Sequence, residues 1–304
     1  MEATISQFNR DGYYVIEEAL DEAHVARLHT LLRELRPVLE RSPSRKRVEV
    51  LDAGRVLPSG GLDVRNIVTT QRCAADSGPD DSGATYPFLH LLEHEATFPV
   101  ALRALGSPHI GLLTSHLIIA PPAESSDERN IGWHTDGGMP RFAGADGVRP
   151  FQQLKIGYFL TDLPRDNMGG LCVVPGSHKL AAIGHQSVEA PDMDGAVQLK
   201  LRAGDAVIFQ QGLWHAAAPN TDAAARERVA IYFGYGARTL RPMDFVPSRL
   251  DARFLAALSP TQSQLMGILL TSGPNPLGYW VPQPGDVPLA EVYERRFGCP
   301  FHRA

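Results

Sequence analysis

Ile110-Gly111-Leu112-Leu113-Thr114-Ser115-His116-Leu117-Ile118-Ile119-Ala120, stopped by Pro121-Pro122, decides the fold. Its aliphatic and β-branched content, with the prolines that end it, marks a strand rather than a helix. Working outward, similar short apolar runs occupy 152–160, 171–174, 197–201, 206–209, 213–217 and 228–235. Turn sequences such as Pro164-Arg165-Asp166-Asn167, Pro175-Gly176-Ser177-His178 and Ala203-Gly204-Asp205 separate them. About seven or eight strands without intervening helices close most naturally as two packed sheets. The expectation is a mainly β protein: a jelly-roll core over about 108–240 with flanking helices, in one domain spanning 1–304.

The flanks are less regular. Asp11-Gly12 is a turn signal before the β-rich Tyr13-Tyr14-Val15-Ile16. From Glu22 onward Val25, Leu28, Leu31, Leu32 and Leu35 recur at helical spacing, and Pro37 is expected to end or kink that helix. Residues 41–85, rich in Arg, Ser, Gly and Asp, read as a structureless segment that covers the substrate. Residues 87–105 read as helical, and beyond Arg241-Pro242 the chain turns irregular and partly helical around 251–258 and 261–270.

Chemistry concentrates in Asn130-Ile131-Gly132-Trp133-His134-Thr135-Asp136-Gly137-Gly138 and in Gly212-Leu213-Trp214-His215. His-x-Asp on extended backbone puts an imidazole and a carboxylate on one face. With His215 as a third ligand, the set is the facial triad of non-haem Fe(II) oxygenases, which leaves positions open for a co-substrate and dioxygen. Each residue alone has a blander reading. His-x-Asp recurs by chance, and His215 beside Trp214 and three alanines reads as a satisfied core or surface histidine. Their combination, with a Pro-Gly-Ser-His turn between and arginine soon after, favours the metal. His116 taken alone reads as a hydrogen-bonded core histidine. Lys155 reads as a solvated lysine, with a salt bridge to an acidic substrate as the alternative. Met139, Pro140, Arg141 and Phe142 follow the metal motif and are candidates for touching substrate.

Composition excludes several classes. The chain of 304 residues is 43% hydrophobic and 21% charged, which describes an ordinary globular protein with an ample core. A net charge of −5 gives no basic footprint for nucleic acid and suits a small-molecule enzyme. Cys73, Cys172 and Cys299 are odd in number and widely spaced, so neither a disulfide framework nor a Cys-x-x-Cys zinc pair is expected. Met1-Glu2-Ala3-Thr4 opens no signal peptide, and no apolar run reaches membrane-span length. The expectation is a cytoplasmic protein without a membrane partner, its oligomeric state left open.

The order His134-x-Asp136, then Gly170-Leu171-x-Val173-Val174-Pro175-Gly176-Ser177-His178, then His215 with Pro219-Asn220, an arginine and Arg241-Pro242, resembles the phytanoyl-CoA dioxygenase family of Fe(II)/2-oxoglutarate oxygenases. The resemblance covers about 5–245 and implies a double-stranded β-helix (jelly-roll, cupin-like) core with Fe(II), 2-oxoglutarate and O2. His134, Asp136 and His215 take the family's iron-ligand places. Tyr158 falls where relatives set an aromatic against 2-oxoglutarate, and His116 falls on a strand position that lines that pocket. The far carboxylate of 2-oxoglutarate needs a cation, and the planar fork of arginine matches it. Arg226 and Arg228 both qualify by distance from His215, and Arg228 is preferred because it opens the last strand and keeps the spacing to Tyr235 and Arg241-Pro242.

The resemblance names no substrate, since relatives oxidise acyl-CoA thioesters, amino acids, alkaloids and polyketides. The absence of a basic cluster for the CoA phosphates turns the expectation toward another small molecule of specialised metabolism, oxidised by hydroxylation, desaturation or cyclisation. Three rivals remain: a metal-binding jelly roll without oxygenase activity, a cupin isomerase indifferent to 2-oxoglutarate, and a non-haem iron halogenase, which Asp136 disfavours.

Overall fold

A computed structural model of the chain describes residues 1–41, 54–56, 61–71, 86–122, 132–136, 151–180, 193–268 and 287–297. Its frame is a seven-stranded antiparallel sheet. The strands are β1 (Tyr13–Ile16), β2 (Gly54–Val56), β3 (Leu62–Arg65), β4 (Ile110–Ala120), β5 (Gln153–Phe159), β8 (Ala206–Gln210) and β10 (Arg228–Ala237), in the order β1-β8-β5-β10-β4-β3-β2. Facing it is a three-stranded sheet, β7-β6-β9, from β6 (Leu171–Val173), β7 (Val197–Gln198) and β9 (His215–Ala217). This is the expected mainly β, jelly-roll architecture, and the strands after residue 110 lie where the sequence puts them.

Strand alternation divides the large sheet into two faces. On the outer face Leu154, Ile156, Tyr158, Ile208, Ile231, Phe233 and Tyr235 join the main core beneath the helices. The helix α2 (Glu22–Arg41) buries Val25, Leu28, Leu31, Leu32 and Leu35 there, and α3 (Phe98–Leu105) adds Phe98 and Leu102. At roughly 1.5–3 kcal/mol per buried aliphatic side chain, this layer outweighs any single polar contact in the sheet. On the inner face Phe159, Val207, Phe209, Ala230 and Tyr232 pack with Leu163, Leu171 and Val173 from the small sheet and its approach.

Three flanking expectations are corrected. Pro37 lies inside α2, which continues to Arg41; near a helix end the ring forfeits one N–H bond, which does not force a stop. The stretch 87–105 is two pieces, a 3-10 turn at Leu89–Glu93 and α3. The segment 41–85 is not structureless throughout: β3 pairs with β4, and Leu62, Asp63, Val64, Ile67 and Val68 are buried. Residues 42–53, 57–60 and 72–85 of that segment lie outside the described residues. The chain also adds α1 (Glu2–Asp11), α4 (Ala252–Ala257), α5 (Pro260–Leu265) and α6 (Val287–Phe297). Among the described residues no helix is long and apolar enough to cross a membrane.

Candidate metal centre

The strand register lays the inner face out in rows that lead into a cleft between the sheets. The first row is Phe209, Lys155, Gly234 and, one place past the bulge, Thr114; the next is Val207, Gly157, Tyr232, His116 and Arg65. Phe159, Ala230, Ile118 and Asp63 follow, and Arg228 opposite Ala120 is deepest. The cleft, of about 400 Å³, is lined by His134 and His215 at one side, by Ile118, Leu171, Phe209 and Ala217 as apolar wall, and by His116, Lys155, Arg228 and Tyr232.

His134, Asp136 and His215 present ligand atoms that all lie within 4.8 Å of one another. Among the described residues they are the one cluster of this kind. Two backbone hydrogen bonds hold it, His134 N–H to His215 O and His215 N–H to His134 O, each 3.0 Å. The rings are tethered alike. His134 Nδ1 lies 2.7 Å from Gly132 O and His215 Nδ1 lies 2.9 Å from Leu213 O. A carbonyl only accepts, so each Nδ1 carries the proton and each Nε2 keeps its lone pair for the site. Burial and the neighbouring His134 push the His215 imidazole down to about 3, outweighing the upward pull of Asp136. Burial by itself would raise the Asp136 carboxyl, yet Lys155, His215 and His134 hold it down at about 2. The site therefore offers two imidazole Nε2 lone pairs and one carboxylate.

Asp136 Oδ1 accepts from Lys155 Nζ at 2.8 Å, while the buried Oδ2 has no hydrogen-bond partner among the described residues. Lys155 is thus not the solvated lysine of the sequence reading; its side chain is 14% exposed. It projects inward because 155, 157 and 159 share the inner face of β5.

At the deep end Arg228 is 2% exposed. One nitrogen, Nη1, reaches Tyr232 Oη at 3.4 Å, whereas Nε and Nη2 are buried without a partner among the described residues. Arg226, its rival by spacing, is exposed and turns back on Ala224 O and Ala225 O. Asn220 sets this turn by donating from Nδ2 to Arg226 O and Ala120 O. His116 lines the cleft as expected, and its Nδ1 sits 3.1 Å from Arg65 Nη1. Guanidinium only donates, so Nδ1 accepts and the proton resides on Nε2. Burial, then the charges of Arg65, Lys155 and Arg228, hold this imidazole well below its ordinary range.

Tyr158 is a correction. It lies on the outer face of β5, fully buried in the main core, with its hydroxyl 2.5 Å from Thr97 Oγ1 and donating to Leu91 O at 3.1 Å. The tyrosine that lines the cleft is Tyr232, whose ring stands over Gly157 and lies tilted against His116 at 5.1 Å between centroids. Sequence reasoning missed it, although Arg228 and Tyr232 are four apart on one strand and so share a face. Residues 139–142 lie outside the described residues.

The donor set fits a metal. Two Nε2 lone pairs, an ionised carboxylate and an orphaned buried oxygen are what a first-row divalent ion asks of nitrogen and oxygen ligands. The unpaired Nε and Nη2 edge of Arg228 fits a carboxylate at the other end of the cleft.

Comparisons with known proteins agree with this geometry. The family model described as phytanoyl-CoA dioxygenase (PhyH) matches residues 8–228. An uncharacterised protein of Mycobacterium tuberculosis is 27% identical over 263 residues, covering 84% of this chain and 82% of its own. Among solved structures, HygX from Streptomyces hygroscopicus with nickel, 2-oxoglutarate and hygromycin B bound superposes with a TM-score of 0.57 at 15% identity, over 79% of this chain and 89% of that one. The epimerase SnoN in complex with Fe3+, α-ketoglutarate and nogalamycin RO gives 0.53 at 21% identity, over 82% and 91%. At such identities the structural likeness speaks for the fold.

Proposed function

The chain belongs to the phytanoyl-CoA dioxygenase family, whose model matches well over half of its length, and from that premise we propose that it oxidises a C–H bond of a small organic molecule of specialised metabolism, by hydroxylation or by a related desaturation or cyclisation. It is a 2-oxoglutarate-dependent non-haem iron dioxygenase, with Fe(II), 2-oxoglutarate and O2 as its cofactor and co-substrates. We assign His134, Asp136 and His215 to the iron and Arg228 to the far carboxylate of 2-oxoglutarate, within one cytoplasmic oxygenase domain. The observation that carries the reading is the pairing, in one cleft, of a His-Asp-His cluster with a buried arginine edge that has no protein partner among the described residues.

With iron, 2-oxoglutarate and O2 bound, the site supplies an oxidant for C–H cleavage while 2-oxoglutarate leaves as succinate and CO2. The chain's own share is holding and sheltering. Arg228 would hold the far carboxylate with its unpaired Nε and Nη2 edge. Tyr232 offers its hydroxyl and His116 its Nε2 proton as further donors. Ile118, Leu171 and Phe209 keep water from the reacting end. The carbonyls of Gly132 and Leu213 fix each imidazole in the tautomer that binds metal.

A binding jelly roll without activity gives Arg228 no task, since a buried arginine edge left unpaired is costly. A halogenase needs a small residue where Asp136 stands. The substrate class draws support from the fold's company: HygX was crystallised with hygromycin B, and SnoN comes from nogalamycin biosynthesis. The test is O2 uptake and succinate release with Fe(II) and 2-oxoglutarate, followed by a mass-spectrometric screen for substrates that gain one oxygen or lose two hydrogens. Binding of metal without any 2-oxoglutarate turnover would overturn the reading.

A further inference from the structure

The charges that face the cleft do not balance once the site is loaded. Arg65 has Asp63 at 2.8 Å and Arg228 has the far carboxylate of 2-oxoglutarate under the proposed function, on which this inference rests. Lys155 has Asp136, at 2.8 Å. That carboxylate is the one the metal claims. A divalent ion held there would share the Asp136 carboxylate with the Lys155 ammonium, in a place where the lysine side chain is 14% exposed and water answers little of its charge. Among the described cleft residues it is then the cation without an anion of its own.

A second, narrow cleft adjoins it. Lys155 and Asp136 line this cleft on the other side of the pair, with Thr114, Gln153, Gln211 and Met243. Gly234, opposite Lys155 on β10, keeps this passage open: a Cβ there would come within 2.6 Å of Thr114 and 3.6 Å of the lysine stem. The wall of this cleft is mainly apolar, with Leu113, Leu154 and Met243 in its lining.

We propose that Lys155 is a specificity-determining residue that holds an acidic group of the primary substrate, so that the enzyme acts on a small organic acid. Because the ammonium is bonded to the carboxylate of a metal-ligating residue, the acid it holds sits beside the reacting centre. The oxidised C–H is accordingly a few bonds from the carboxylate, and the remainder of the molecule extends toward Leu113 and Met243.

The experiment is calorimetric and needs no turnover. Protein loaded with Ni(II) and saturated with 2-oxoglutarate is titrated with hexanoate, benzoate and N-acetylleucine, each against its primary amide. We expect at least one acid to bind tenfold or more tightly than its amide. Lys155→Met should abolish that preference while leaving the 2-oxoglutarate affinity within about threefold, and Lys155→Arg should retain the preference; thermal melts check that both variants fold. Acids and amides binding alike, or no acid binding while 2-oxoglutarate binds normally, would overturn the proposal. So would a tenfold loss of 2-oxoglutarate affinity in Lys155→Met, which would make the lysine a co-substrate ligand. Failure of the wild type to bind 2-oxoglutarate at all strikes instead at the underlying functional reading.

Discussion

His134 and His215 are bonded to each other through their main chains, each amide donating to the other's carbonyl at 3.0 Å. The metal ligands are thereby held together by groups that no side-chain substitution removes. His134→Ala, Asp136→Ala and His215→Ala are each expected to abolish turnover and tight metal binding while the circular dichroism of the fold persists. Asp136→Ala should be the least stable of the three, because it leaves the largely buried Lys155 cation without its partner. Near-normal turnover with added Fe(II) in any one of them removes that residue from the ligand set.

Arg228→Met should separate binding from stability. The wild-type side chain is buried with two unpaired nitrogens, a standing cost in the ligand-free protein. The variant should therefore melt no lower than wild type yet lose most of the stabilisation that 2-oxoglutarate confers. A charge-assisted bidentate pair is worth roughly 1.5–3 kcal/mol, so the KM for 2-oxoglutarate should rise about ten- to a hundredfold. Arg226→Ala, at an exposed side chain that only meets its own turn, should leave it unchanged. The reverse ranking in steady-state kinetics would transfer the role to Arg226.

His116 makes a pH prediction. Its folded pKa is depressed by burial and by Arg65, Lys155 and Arg228, so between the ordinary histidine range and its folded value the unfolded chain binds a proton that the folded chain does not. The contribution is complete above about pH 6.5 and is lost as pH falls below it, at up to about 1.4 kcal/mol per pH unit. Denaturant melts at pH 7 and pH 5 should show a steeper loss for wild type than for His116→Gln, which keeps an acceptor for Arg65 but cannot titrate. Parallel losses would mean that the imidazole is not held neutral.

Gly157 faces Tyr232 so closely that a Cβ would stand 2.6 Å from the ring. Gly157→Ala must displace the ring toward the cleft or strain β5, at a cost of about 1–3 kcal/mol. Both a lower melting temperature and a several-fold higher KM for 2-oxoglutarate are expected. A normal KM would show that the ring does not border the co-substrate.

The strands after residue 110 were legible because each carries a largely apolar or alternating run between turn residues, and the triad was legible because its chemistry needs rare residue types in a fixed order. β3 was not, since Leu62-Asp63-Val64-Arg65 alternates over only four residues within a polar segment, and its ladder partner His116–Ile119 is remote in sequence. Lys155 was misread for a different reason. A lysine in an apolar strand looks like an outward position until the register shows which face holds the carboxylate that answers it.

The same question of strand face decides between two tyrosines. Spacing from the Pro175-Gly176-Ser177-His178 turn puts Tyr158 near the co-substrate, whereas the register turns it to the helix side, and Tyr232 takes the inner position on β10. Tyr158→Phe should strip the donor from the buried Leu91 carbonyl and the partner from Thr97, lowering stability by about 1–3 kcal/mol with the KM for 2-oxoglutarate unchanged. Tyr232→Phe removes only a long contact to Arg228, at 3.4 Å, so its stability should shift by less, within about 1 kcal/mol, while the KM rises a few-fold. Melting curves and kinetics on the two variants make a crossed pair of measurements. A raised KM in Tyr158→Phe with none in Tyr232→Phe would return Tyr158 to the cleft and would require β5 to be shifted in register by one residue, which would also turn Lys155 away from Asp136.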